Sequence, residues 1–292
     1  MSETTAPPSL EAFLEAPIAA VRAVAPPTVI YGPGGTRRQA AMAGISPESD
    51  GYAAWSREHM AESIAALAHV GVQHIVVNLL RPAQMAEVGR YRDRLLAWLA
   101  EGLAGDDALA EWCRRGWRAR LIGLEQLPEL RAAAERLAAA TASASGPSVW
   151  WYLCPTAATP WEGILAAAQR GARSQEEAIS ALYGEAIPPA TLYLAFGKPL
   201  IAYDIIPPLL AGELQCYWTQ RPGFSLNEPT LRQILYDYAY LRRTWQPAKQ
   251  ERYAALSSQR ELWEHGPVLG LGARVGPFWY PRGIHASSSG EN

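Results

Sequence analysis

Thr36, Arg37 and Arg38 stand directly after a β-branched run and a turn made of Gly32, Pro33, Gly34 and Gly35. A strand that feeds a glycine-rich turn and then a helix start presents backbone N–H groups to a phosphate. Two adjacent guanidinium forks, charged at any physiological pH, match the oxygens of a diphosphate. The chemistry this cluster suits is holding a diphosphate and stabilising it electrostatically as it leaves. The stretch is not a Walker A loop, because no Gly-Lys-Ser/Thr follows, and it is not a GxGxxG fingerprint. A surface loop carrying two solvated arginines has the same composition.

Asp106, Asp107 and Glu111 spell DDxxxE, the pattern that holds magnesium in helical terpene synthases. No second metal motif accompanies it, and acids after Gly105 suit a helix N-terminus, where they complement the dipole. The cap is the reading adopted. Tryptophan and tyrosine, 11 and 13 against 4 phenylalanines, cluster as Trp150-Trp151-Tyr152, Tyr217-Trp218 and Phe278-Trp279-Tyr280. Their π-faces can line an apolar pocket and steady a cation, or simply build a core. The five histidines form no HExxH pair, and no GxSxG elbow marks a serine hydrolase.

The elements that must position these residues read as alternating strands and helices, the signature of a parallel sheet covered by helices. Strands are expected at 28–31, 74–80, 118–122, 149–153, 191–196 and 213–218, and helices at 82–102, 125–144 and 227–245. At 292 residues, 49% hydrophobic and 18% charged, the chain can bury a sizeable core. A net charge of −2 gives no field that attracts nucleic acid, so any anion site must be local. Cys113, Cys154 and Cys216 have no ligand spacing and are expected as buried free thiols in a reducing compartment. Neither a signal peptide nor an 18-residue apolar run is present, so a cytoplasmic protein with no membrane span is expected.

"GGTRR" after the first strand, Tyr52 opening the next helix, "LYGE" at 182–185, "LYLAFGK" at 192–198, "LRQILYDYAYLRR" at 231–243 and Trp279 together form a recognisable set. It resembles the tuberculosinol/isotuberculosinol synthase and kolavelool synthase family, a terpene synthase branch of the cis-prenyltransferase (undecaprenyl diphosphate synthase) fold. The likeness is most specific between Tyr183 and Arg243. It implies one α/β domain over 28–282, a parallel six-stranded sheet flanked by helices around a hydrophobic tunnel. Residues 1–27 would form an N-terminal helical segment packed on it and 283–292 a disordered tail.

The same resemblance implies a homodimer coupled to a class II diterpene cyclase that supplies its substrate. Gly35, Thr36, Arg37 and Arg38 match the diphosphate-binding loop, and Lys198 lies where a second basic contact is expected. Tyr52 and Trp279 match aromatic residues that position water and face the allylic cation, so Tyr52, Trp279 and Arg38 form the expected catalytic set. Mg²⁺ is the implied cofactor. The family loop, however, reads DGTRR, and the position of its aspartate is Gly34 here. Asp50, Asp204 and Glu185 are the carboxylates considered as replacements.

The activity expected is ionisation of a bicyclic diterpenyl diphosphate of clerodane or halimane type, such as kolavenyl diphosphate, and capture of the cation by water to give an alcohol such as kolavelool. The alternatives are a cis-prenyltransferase that uses isopentenyl diphosphate and a non-catalytic subunit of this fold.

Overall fold

The computed structural model describes residues 7–49, 51–87, 91–197, 200–219, 221–241, 260, 264, 272–275 and 278–281. Asp50, Lys198, Arg242, Arg243 and the tail 283–292 lie outside them. The chain divides into two compact units, Met1–Arg242 and Arg243–Asn292.

The first unit is built on six parallel strands, β1 (Thr28–Gly32), β2 (His74–Leu80), β3 (Arg118–Ile122), β4 (Ser148–Leu153), β5 (Ala190–Phe196) and β6 (Ala211–Thr219), in the order β3-β4-β2-β1-β5-β6. The strands are near-continuous apolar runs because parallel strands are covered on both faces. All six residues of β4 are buried. Side chains alternate across a strand, and the run Trp150-Trp151-Tyr152 is split by that rule. Trp151 joins Tyr31, Val77 and Leu194 in one core layer, while Trp150 and Tyr152 join Val76 and Tyr193 in the other.

The helices are α1 (Leu10–Leu14), α2 (Ile18–Arg22), α3 (Thr36–Met42), α4 (Gly51–His69), α5 (Pro82–Met85), α6 (Tyr91–Ala104), α7 (Asp106–Arg115), α8 (Arg131–Ala140), α9 (Thr159–Gln169), α10 (Gln175–Tyr183) and α11 (Glu228–Tyr236). A π-turn at Asp237–Leu241 continues α11. Phe13 of α1 is buried against Tyr236 and Tyr240, with ring centroids 5.7 and 5.8 Å away. The second unit contains an antiparallel pair, β7 (Gly272–Val275) and β8 (Phe278–Pro281), in which Trp279 lies opposite Arg274.

Two expected helices are shorter than the sequence suggests. The stretch 82–102 is interrupted after Met85, where the chain leaves the helix and Glu87 turns to Arg37. The stretch 125–144 opens with a 3₁₀ turn at Pro128–Leu130, and regular helix starts only at Arg131. The DDxxxE acids begin α7, where Asp106 pairs with Arg136 and Asp107 with Arg57. Of the three cysteines, Cys154 alone is buried, which corrects the expectation for the others. Cys113 is exposed on α7, and Cys216 is exposed on β6, which forms one edge of the sheet.

Candidate active site

Sites in parallel sheets form beyond the carboxyl ends of the strands, where neighbouring connections leave in opposite directions. Here β1 leads to β2 on one side while the adjacent β5 leads to β6 on the other. A cleft of about 610 Å³ opens at that point. Its mouth is formed by residues 32–38, by Asn78 and Arg81 at the end of β2 and by Gln84 of α5.

Helix periodicity supplies a wall that is apolar except for Ser56 and Arg57. Tyr52, Ala53, Ser56, Arg57 and Met60 recur at one-, three- and four-residue steps along one face of α4, and Leu95, Trp98, Leu99, Gly102 and Leu103 do the same on α6. Trp112 of α7 and Trp151 of β4 also line the cleft, with ring centroids 5.6 Å apart. The Trp112 N–H donates to the Leu103 carbonyl at 2.9 Å. The buried Trp151 N–H meets no acceptor among the described residues. The cleft therefore grades from arginines and backbone at one end to indole and leucine at the other.

The loop is shaped by its glycines. Gly35 has φ +77° and caps α3 without a side-chain bond, a conformation that costs glycine little and other residues more. The Thr36 hydroxyl lies 3.1 Å from the Tyr52 hydroxyl, which ties the loop to α4. Tyr52 stands edge-on to Trp98 at 5.8 Å. Arg37 makes a two-point pair with Glu87, at 2.9 and 3.4 Å. Arg38 makes no hydrogen bond or ion pair among the described residues, and its guanidinium lies over the Cα positions of Gly35 and Gly197.

Arg81 donates through Nε to Asp204 at 2.8 Å, and its backbone N–H donates to the Gln84 side chain at 2.9 Å. The Asn78 amide donates to the Asp204 carbonyl at 2.8 Å. The Tyr193 hydroxyl donates to the Leu200 carbonyl at 3.3 Å, and burial pushes its pKa up to about 12, so it stays a neutral donor.

Of the residues singled out in the sequence, Gly35, Thr36, Arg37, Arg38 and Tyr52 share this cleft. Trp279 lies on β8 of the second unit, and Lys198 lies outside the described residues. Arg57, Asn78, Arg81 and Trp98 belong to the cleft and were not anticipated. Asn78 left a trace, a polar residue inside the apolar strand HIVVNLL.

The described residues do not fit a protein-held Mg²⁺. They contain no group of three or more His, Cys, Asp or Glu able to hold a metal ion. A Cβ at Gly34 would stand 2.0 Å from the Phe196 carbonyl oxygen. Asp204 is engaged by Arg81. Glu185, one of the expected replacements, is bonded to Arg118 and Ser148, the first residues of β3 and β4, at the opposite end of the sheet.

The fold is that of the cis-prenyltransferases. Lavandulyl diphosphate synthase from Lavandula x intermedia, solved with dimethylallyl diphosphate, matches with a TM-score of 0.58 at 16% identity, covering 74% of this chain and 96% of that one. A probable undecaprenyl diphosphate synthase from Campylobacter jejuni matches with a TM-score of 0.55 at 13% identity, covering 72% and 93%. The chain is 42% identical to (+)-kolavelool synthase of Herpetosiphon aurantiacus over 283 residues, 96% of this chain and 98% of that protein. It is 32% identical to tuberculosinyl adenosine transferase of Mycobacterium tuberculosis over 117 residues, 38% of each. No family model matches. The chain thus belongs to the kolavelool synthase and tuberculosinol synthase family of enzymes, terpene synthases on the cis-prenyltransferase fold. No helix among the described residues is long and apolar enough to cross a membrane.

Proposed function

We propose that the enzyme ionises a bicyclic diterpenyl diphosphate of clerodane or halimane type, kolavenyl diphosphate being the leading example, and captures the allylic cation with water to give a diterpene alcohol such as kolavelool. The supporting observation is the polarity gradient of the cleft, arginines at its mouth and an aromatic, aliphatic wall behind them, in a chain 42% identical to a kolavelool synthase. A substrate with a diphosphate head and a hydrocarbon body matches that gradient.

In this reading Gly35, Thr36, Arg37, Arg38 and Lys198 take the diphosphate. The allylic C–O bond breaks with its electron pair leaving on the diphosphate, and the guanidinium charges stabilise the negative charge that develops there. Tyr52 and Trp279 are the aromatic residues assigned to steadying the allylic cation. Water adds through oxygen, and its proton passes to the released diphosphate, which balances the reaction as alcohol plus hydrogen diphosphate. A class II diterpene cyclase supplies the substrate, and the protein works as a cytoplasmic homodimer.

The test is incubation of the purified protein with geranylgeranyl, kolavenyl and halimadienyl diphosphates, with products identified by gas chromatography and mass spectrometry. A C20 alcohol from one bicyclic substrate is expected. Longer prenyl products on addition of isopentenyl diphosphate would replace this reading with chain elongation.

A further inference from the structure

The loop 32–35 is held from two sides. Against β5, a Cβ at Gly34 would lie 2.0 Å from the Phe196 carbonyl oxygen, closer than Cβ atoms ever come to another heavy atom. On the other side, a Cβ at Gly223 would lie 2.6 Å from the Pro33 carbonyl carbon and 2.9 Å from the Gly34 oxygen. The 222–224 segment is itself tied down, because the Tyr31 hydroxyl donates to the Gly223 carbonyl and the Phe224 N–H donates to the Gln39 side chain at 2.9 Å. The loop thus packs on the end of β5 at Gly34 and against the Gly223 turn at Pro33 and Gly34. Position 34 therefore has no room for a carboxylate.

Among the described residues, three further acids beside the cleft are paired. Glu87, Asp107 and Asp204 each pair with a cleft-lining arginine, Arg37, Arg57 and Arg81 respectively.

We propose that the mouth of the cleft is a metal-independent diphosphate site, in which Arg37, Arg38 and Arg81 supply the charge neutralisation without a cation held by the protein. The inference rests on the reading of the ligand as a diphosphate ester. Arg38 has its donors uncommitted among the described residues, and its fork rests where two glycines leave space. Its Nη2 is 2.8 Å from the place of a Cβ at Gly35 and 3.3 Å from that at Gly197. Both glycines have positive φ, +77° and +87°, so the cradle is written into the backbone. Arg37 and its partner Glu87 are 43% and 37% exposed, and an exposed pair of this kind contributes at most about 1 kcal/mol. Arg81 differs. Its partner Asp204 is only 16% exposed, so that carboxylate stays paired and aims the guanidinium.

The experiment is titration calorimetry of inorganic diphosphate into the full chain, in EDTA and in Mg²⁺, with turnover measured under the same two conditions. Affinity and turnover in EDTA are expected within about threefold of their values in Mg²⁺, and Arg38→Ala is expected to weaken diphosphate binding by about tenfold or more. Because Arg38 is exposed, the variant is expected to fold, and Arg38→Lys, which keeps the charge but loses the fork, is expected to fall between the two. Binding or turnover that appears only with Mg²⁺ overturns the proposal, as does an unchanged affinity in Arg38→Ala. Diphosphate binding in EDTA without conversion of any terpenyl diphosphate upholds the site and rejects the function proposed above. Conversion that requires Mg²⁺ does the reverse.

Discussion

At the N-terminal edge of the sheet, Arg118, Ser148, His74 and Glu185 close on one another, whereas at the C-terminal edge Arg37, Arg38 and Arg81 face a cleft. In the closed cluster Arg118 donates to the Ser148 hydroxyl at 2.6 and 3.0 Å and to Glu185 at 3.1 Å. Ser148 donates to Glu185 at 3.2 Å, and the Trp150 N–H donates to His74 Nδ1 at 3.4 Å. Each of those donors finds an acceptor inside the protein. At the other edge Arg37 and Arg81 pair with Glu87 and Asp204, whereas Arg38 spends no donor within the described residues. Arginine and carboxylate thus serve cohesion at one edge and reception at the other, and what separates the roles is whether the donors are already spent.

If that contrast holds, substitutions at the open edge cost turnover and those at the closed edge cost stability. The largest effect is expected for Arg38→Ala, a fall in kcat/KM of roughly 30- to 1,000-fold, ~2 to 4 kcal/mol of lost stabilisation of developing charge, with an unchanged unfolding midpoint. A wild-type rate in that variant breaks the comparison at its strongest point. Tyr52→Phe keeps the ring against Trp98 but loses the contact with the Thr36 hydroxyl, worth about 1 kcal/mol. Steady-state kinetics are expected to show roughly a fivefold fall in kcat, and a loss as large as that of Arg38→Ala would give the hydroxyl a chemical role.

The smallest effect sharpens the closed edge. Burial lowers the pKa of His74, against an opposing pull from Glu185. The unfolded chain, with an ordinary imidazole near 6.5, then binds more protons than the folded one as pH falls. The stability tied to the neutral ring is complete above about pH 6.5 and is lost as pH drops through the lower folded value. Urea unfolding between pH 7.5 and pH 5 is expected to show a steeper decline for the wild type than for His74→Phe. Parallel declines would mean that the cluster does not hold the ring neutral.

Much of the sheet was legible because strands buried on both faces leave uninterrupted apolar runs, and all six appear within two residues of their expected bounds. The loop at 32–38 was legible for a different reason, since glycine and arginine in that order follow from backbone approach to an anion. Arg57, Arg81 and Trp98 were not legible. They come from α4, the end of β2 and α6, and meet only because the fold stacks those elements over one edge. Helix continuity through 82–102 was misread because periodicity records which faces are apolar and not where the chain departs to let Glu87 reach Arg37.

The tight seat of Gly34 also has a consequence for substitution. A side chain at position 34 would stand against the Phe196 carbonyl, so aspartate there requires the loop or the end of β5 to shift. The contact at position 34 is with backbone, so what a side chain there would demand is a shift of the main chain and not a change of the Phe196 side chain.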